Sequence, residues 1–383
     1  MLTRVSLVVV LSIAALAGAC SSDDDAGGSK NTGGAGGSGA GGSGGSSGSS
    51  GGSGGSATGG AAGSTGGSGG SAGSTGGSGG GGTGGADGSA GAPLKLSETG
   101  LYSDTAKGTL AAGVVEYRPH YQLWTDGAVK KRWVYLPPNT KIDTSDMDYW
   151  VYPVGTKLWK EFVRDTVRVE TRLLWKTSDT EWQMMAYQWN STGTDADAVP
   201  GGVQNASGTQ HDIPSSGDCL TCHGKMKDRA ASFTAIQLSH NLGGLNLSDL
   251  ISQGKLTNPP SGPFTLPGNQ TDQDALGYLH ANCGVCHNDT SFVFTLVDMQ
   301  LWLKTGNLGS VKTTDTYLST ANKSLTASNP STGKARLVPG DPATSDIHIR
   351  MNQRGTLTQM PVLGTEIVDT VGSKAVDDWI KSL

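Results

Sequence analysis

Glycine constrains this chain more than any other residue. Of its 60 glycines, 34 fall between residues 26 and 92, among Ser, Thr, Ala and Asn. Such a stretch buries too little apolar surface to offset the entropy of ordering it. A 383-residue globule is therefore excluded. About 290 residues remain for one large domain or two ordinary ones. Residues 21–93 read as a disordered Gly/Ser tether, and a coil of about 73 such residues has an r.m.s. span of about 45 Å. The charge is bland, with 28 Lys plus Arg against 33 Asp plus Glu and a net of −5. There is no basic run and no basic-aromatic interleaving, so nucleic acid is not an expected partner.

Residues 1–20 read as a secretory signal. Arg4 gives a positive start, residues 5–16 are apolar, and Ala17, Gly18 and Ala19 are small. The run is shorter than the about 20 residues of a spanning helix. Cys20 follows at once, and this junction resembles the lipobox of bacterial lipoproteins, with Leu16 one place early. The resemblance implies a lipid on the Cys20 sulfur. It also favours the outer membrane, since Ser21 follows the cysteine and Asp23, Asp24 and Asp25 come later. The expected location is the cell envelope, held by a lipid anchor.

The other four cysteines form two copies of one pattern, Cys219-Leu220-Thr221-Cys222-His223 and Cys283-Gly284-Val285-Cys286-His287. Cys-x-x-Cys-His is the attachment pattern of c-type haem. Two thiols about one helical turn apart reach the two vinyl groups of one porphyrin, and the adjacent His supplies the proximal imidazole. A thioredoxin-like pair would follow a βαβ pattern, which is absent. A zinc site or two disulfides would leave both trailing histidines to coincidence. The expected cofactors are two covalently attached haems, with His223 and His287 on the irons.

Downstream, residues 272–282 read as a helix running into Cys283. Then come Pro339-Gly340-Asp341-Pro342 with Ser345, then Met360-Pro361, and a last helix ending in Trp379-Ile380. This order and spacing resemble those of many bacterial periplasmic c-type cytochromes over about residues 270–383. The resemblance implies Met360 as distal ligand of the haem on His287; Met351 is the runner-up, its helical setting fitting a core methionine better. Met299 is too near His287 in sequence to cross to the far face. The next proline after His287 is Pro330, so the usual nearby Pro carbonyl acceptor for its Nδ1–H is missing. For the first haem, His240 and His211 lead as sixth ligand, followed by Met184, Met185 and Met226, with an open position as the remaining choice. His240 is expected at the end of a helix over residues 233–240.

Residues 94–215 hold seven of the nine tryptophans, and short β-rich runs fall at 132–136, 150–153, 157–162, 166–175 and 181–189. Val167, Val169, Thr171, Leu173 and Trp175 alternate with Arg168, Glu170 and Arg172, as in a half-buried strand. The spacing suggests an antiparallel sandwich or barrel. The indoles are expected to fill a core or pack on haem, with a carbohydrate platform as the secondary reading. Asp143, Asp146 and Asp148 read as a solvated turn, because no calcium-loop glycine accompanies them.

The segments at 123–128 (LWTDGA), 153–162 (PVGTKLWKEF), 169–174 (VETRLL) and 211–215 (HDIPS) complete a further likeness. Together with the haem motifs they resemble a family of uncharacterised bacterial dihaem cytochrome c-like proteins, often lipoproteins, over nearly all of 94–383. The expected fold is α+β, with a β-rich domain at 94–215, a first haem segment at 216–269 and a helical cytochrome c-like domain at 270–383. The expected function is electron transfer to redox partner proteins rather than catalysis. The rivals are a redox subunit of a separate dehydrogenase, a dihaem peroxidase with an open first haem, and a sugar-binding module. The motifs are only 64 residues apart, too close for the two full cytochrome domains that peroxidases resemble. Substitution Cys20→Ser should move the protein from the membrane to the soluble fraction with an unchanged absorption spectrum, as fractionation will show; retention in the membrane would mean that something other than a lipid holds it.

Overall fold

Alternating side chains drive the centre of the structure into one open sheet. The computed structural model describes residues 91–326 and 332–383. The signal, Cys20, all but the last residues of the tether, and Pro330 lie outside the described residues. A small hairpin, β1 (Tyr102–Asp104) and β2 (Thr109–Leu110), precedes six strands. These are β3 (Val114–Glu116), β4 (Val129–Tyr135), β5 (Lys157–Arg164), β6 (Val167–Lys176), β7 (Trp182–Trp189) and β8 (Ala196–Ala198). They lie in sequence order, and every pairing is antiparallel. The expected sandwich or barrel is therefore a single meander whose edges, β3 and β8, do not meet. Residues 150–153 form no strand; Val151 makes only an isolated bridge to Asp143.

Both faces of the sheet are covered. One face carries Trp133, Trp159, Leu173, Tyr187 and Trp189, closed by Leu96, Leu101 and Tyr102 from the preceding segment. The indole N–H groups stay inside: Trp159 donates to Thr99 Oγ1 at 3.1 Å and Trp189 to Thr171 Oγ1 at 3.0 Å. Five of the seven tryptophans of this region are buried. On the other face, Val134, Leu158, Trp182 and Met184 pack against Phe233, Leu238, Leu247 and Leu250. The sheet and the segment after the first motif thus share one core.

A bulge in β6 alters the expected faces. Phe162 pairs with Glu170 and Val163 with Arg168, so Val169 is the extra residue. Its side chain packs with Ala186, which stands opposite Arg172, rather than beside Leu173. Glu170 on that face is fully buried, so the charged side of β6 does not face water.

The helices are α1 (Ser216–His223), α2 (Leu247–Ser252), α3 (Gln270–Asn282), α4 (Phe292–Val297), α5 (Asp315–Thr320), α6 (Asp346–Met351) and α7 (Thr370–Ser382). Among the described residues no helix is long and apolar enough to cross a membrane. Residues 233–240 form successive turns, not a helix. Phe233, Ala235 and Leu238 enter one core while Ile236 enters another, a division one helical stripe cannot make. The second core joins Leu276 and Leu279 of α3 to Val376, Trp379 and Ile380 of α7. The crossing depends on Gly372, where an added Cβ would lie 1.9 Å from Tyr278 Cε2. Met351 is buried in this core, and Met299 packs on its edge. Because the contact is already closed, Gly372→Val should cost at least about 1–3 kcal/mol of overpacking, read as a lower urea midpoint; an unchanged midpoint would show that the helices separate without cost.

Candidate functional site

The first Cys-x-x-Cys-His turn is built by a helix cap. Ser215 Oγ accepts the Asp218 backbone N–H at 3.2 Å, while the Asp218 carboxylate accepts the Ser215 N–H at 3.0 Å. The helix that follows sets Cys219 and Cys222 three residues apart on one face, with His223 beside them. His223 Nδ1 lies 2.6 Å from the Arg229 carbonyl oxygen. That oxygen only accepts, so Nδ1 carries the proton and Nε2 keeps its lone pair.

Arg229 is held in turn by its neighbour. It adopts φ 62, a left-handed conformation that L side chains rarely take. Asp228 fixes it to the sheet, accepting from Lys176 Nζ at 2.7 Å, Trp182 Nε1 at 2.7 Å and the Tyr152 N–H at 2.6 Å. The Lys176 side chain is 1% exposed and that of Asp228 is 8% exposed.

The second motif begins where α3 ends. Cys286 and His287 both donate backbone N–H bonds to the Cys283 carbonyl, at 3.1 and 2.9 Å. The Leu301 N–H closes on the His287 carbonyl at 2.8 Å. Only glycine fits at 284, where a Cβ would lie 2.6 Å from the His280 carbonyl oxygen and 3.0 Å from that of Leu301. His287 is buried, and its Nδ1 has no partner, in contrast to His223.

The two motifs meet. The thiols of Cys222 and Cys286 act on each other across the two motifs, which makes Cys222 the more acidic of the pair and pushes Cys286 up. Met226, just past the first motif, packs with Trp302 and Val285, and its sulfur accepts from Asn288 Nδ2 at 3.8 Å. Burial pushes the His223 imidazole down to about 4; the Arg229 carbonyl opposes this, and Lys160, Arg172 and Arg229 add to it. Burial, helped by Arg336, pushes His287 down to about 4 as well. Both rings are therefore neutral at pH 7, the state a metal ligand needs. Burial raises the Cys283 thiol to about 12 and also raises that of Cys219.

The front half clamps the second motif through the 123–128 segment. Asn282, one residue before Cys283, accepts the Trp124 N–H at 2.7 Å and donates to the Gln122 carbonyl at 3.0 Å. Asp126 Oδ1 accepts from the Thr365 hydroxyl at 2.7 Å and the Ile367 N–H at 2.9 Å. Trp124 Nε1 donates to the Ile367 carbonyl at 3.0 Å. These bonds fasten the far end of the loop that carries Met360, whose own N–H donates to the Arg350 carbonyl at 3.0 Å. Met360 is half-buried and belongs to none of the apolar clusters among the described residues.

The residues read as sixth-ligand candidates for the first motif have other partners. His240 Nε2–H donates to the Arg118 carbonyl, and its Nδ1 accepts the Leu242 N–H at 3.0 Å. His211 Nε2 is bonded to Glu170 Oε1 at 2.7 Å. Met184 is in the core beside the sheet. Met185 accepts the Ser216 hydroxyl at 3.8 Å. Asp143 and Asp146 cap local backbone, whereas Asp148 leaves the expected solvated turn to accept the distant Thr305 N–H at 2.7 Å. Among the described residues no three His, Cys, Asp or Glu side chains converge as a metal cage would need.

Sequence reasoning missed Asp228, Asp126, Asn282 and His280. His280 is buried at the end of α3, its Nδ1 accepting the Leu303 N–H at 3.1 Å and its ring 4.2 Å from that of Trp302. Its place three residues before Cys283 is the only local signal it carries. No protein-family model, curated protein or solved structure matches the chain. Substituting Asp228→Asn leaves Lys176 buried without its counter-charge, which should lower unfolding free energy by about 3–5 kcal/mol in a denaturant titration; a loss near zero would show that the pair holds nothing.

Proposed function

We propose that the chain is a lipid-anchored dihaem c-type cytochrome that carries electrons in the cell envelope, most simply at the outer membrane. One observation carries the reading. Two Cys-x-x-Cys-His turns meet through Cys222 and Cys286, and His223 has its proton held on Nδ1 by a backbone carbonyl. A disulfide needs no oriented imidazole, and a zinc cage needs ligands that converge. A haem ligand needs a neutral ring and a free Nε2, and at His223 an outer acceptor also fixes the tautomer.

In this reading Cys219 and Cys222 hold one porphyrin and Cys283 and Cys286 the other. His223 and His287 bind the irons through Nε2, and Met360 completes the second site. Bound haem supplies an iron that cycles between Fe(II) and Fe(III), taking up and releasing one electron. The Met360 thioether is a soft ligand that favours Fe(II) and raises the potential. The Asp126 clasp limits the travel of the loop that presents it. With the two motifs this near each other, haems held there would exchange electrons inside one molecule, and redox partner proteins would load and unload it at the surface.

One observation favours a second reading for the first site. The partners of His240 and His211 leave neither ring free to reach that iron without breaking a bond. An iron with an open position binds small ligands and is a candidate for peroxide chemistry. The reduced protein should then take up one equivalent of carbon monoxide rapidly; slow or absent uptake would leave electron transfer as the whole function.

The test is a redox titration followed by absorption spectra. Two c-type haems should titrate, one with the weak red-edge band of Met–iron ligation. His287→Ala should abolish that band and leave the first haem bound. A band that survives would remove Met360 from the second haem, and an absence of any c-type spectrum would overturn the reading.

A further inference from the structure

The sheet face under the first motif carries an unbalanced row of charge. Arg132, Lys160 and Arg172 stand directly opposite one another across β4, β5 and β6. Lys130 lies in the next row, beside Phe162 and Glu170. Like charges directly opposite each other destabilise a sheet, and a buried charge is costly without a partner. Within β4, β5 and β6 Glu170 is the one carboxylate in these two rows; Asp197 of β8 continues the second row but is paired with Lys95 at 2.5 Å. Glu170 is already shared by Arg172, at 3.0 and 2.9 Å from Nε, and His211.

None of the remaining cations is bonded to a carboxylate among the described residues. Arg132 is 2% exposed; its Nη1 donates to the neutral Gln122 amide at 3.1 Å, and its Nε has no partner. Lys130 Nζ donates to the Leu123 carbonyl at 2.7 Å. The contact of the Lys160 ammonium is the Phe162 ring, 4.7 Å away. Burial and the neighbouring Arg132, Arg172 and Lys130 push Lys160 well below its ordinary value, with Glu170 opposing them.

The row runs between two places. At one end Arg132 and Lys130 line a cavity of about 730 Å³. The acids on its wall are engaged, Glu116 with Arg118 at 3.3 Å and Asp369 with the N-terminal N–H groups of α7 at 3.1 and 3.0 Å. At the other end Lys160 and Arg172 act on Cys222 and His223. A group that starts at the motif and ends in carboxylates would meet this row. Resting on the haem reading above, we propose that Arg132 and Lys160 receive the propionate carboxylates of the haem held by Cys219, Cys222 and His223. A cation at that edge disfavours the more positive Fe(III), so the row raises the potential of that haem alone.

The test uses the full chain matured with its haems, with potentials from a spectroscopic titration and propionate bending bands from resonance Raman spectra. Lys160→Met should lower one reduction wave, leave the Met-ligated wave in place and shift the propionate bands. Lys160→Arg, which keeps the charge, should hold the native wave, and so should Lys131→Met on the opposite face. If Lys160→Met fails to fold, Arg132→Gln gives the same reading. Two haems with both waves and the Raman bands unmoved would overturn the inference while sparing the dihaem reading. A wave in the unaltered protein that moves with added phosphate or succinate would assign the row to a diffusible anion and overturn it too. A purified chain with no haem would fail the functional reading itself.

Discussion

A single buried carboxylate ties the chemistry of this chain to its scaffold. Asp228 accepts from a lysine on β6, an indole on β7 and the backbone at Tyr152. Those bonds pin the next residue, Arg229, in a left-handed conformation. Its carbonyl can then face His223 Nδ1 at 2.6 Å. The orientation of the imidazole is thus set by the sheet, through one ion pair and one strained residue. Breaking a buried pair from one side leaves an uncompensated charge, so this anchor cannot loosen gradually.

The second motif is held by the same front half through different bonds. Asp148 accepts from the Thr305 N–H, and the Asp148 carbonyl accepts from Trp302 Nε1 at 3.0 Å. Tyr149 stacks on Trp302, with ring centroids 6.2 Å apart. Asn282 and Asp126 add the clasp on the other side. The β-rich segment is therefore a frame that brings two Cys-x-x-Cys-His turns together. Its tryptophans mostly fill that frame, and most of their surface is spent on packing.

Local features were legible in the sequence. The strands at β4 to β7, the helix entering Cys283, and the final helix each follow from a period or a cap within a few residues. Both Cys-x-x-Cys-His turns are local as well. What escaped was non-local. Nothing near Cys222 signals that its thiol meets Cys286. Asp228 sits among Lys225, Lys227 and Arg229, where a solvated acid is the ordinary expectation, yet its partners are 46 to 76 residues away. The bulge at Val169 depends on strand pairing, and the turns at 233–240 depend on two cores that form only in the folded chain. A period-2 pattern in single strands also cannot tell a sandwich from one sheet covered by helices and loops.

If both Cys-x-x-Cys-His turns hold haem covalently, the intact mass of the purified, denatured protein will exceed that of the bare chain by two haem groups, with Cys219, Cys222, Cys283 and Cys286 all protected from alkylation. A mass without haem and four cysteines open to alkylation would contradict the dihaem reading.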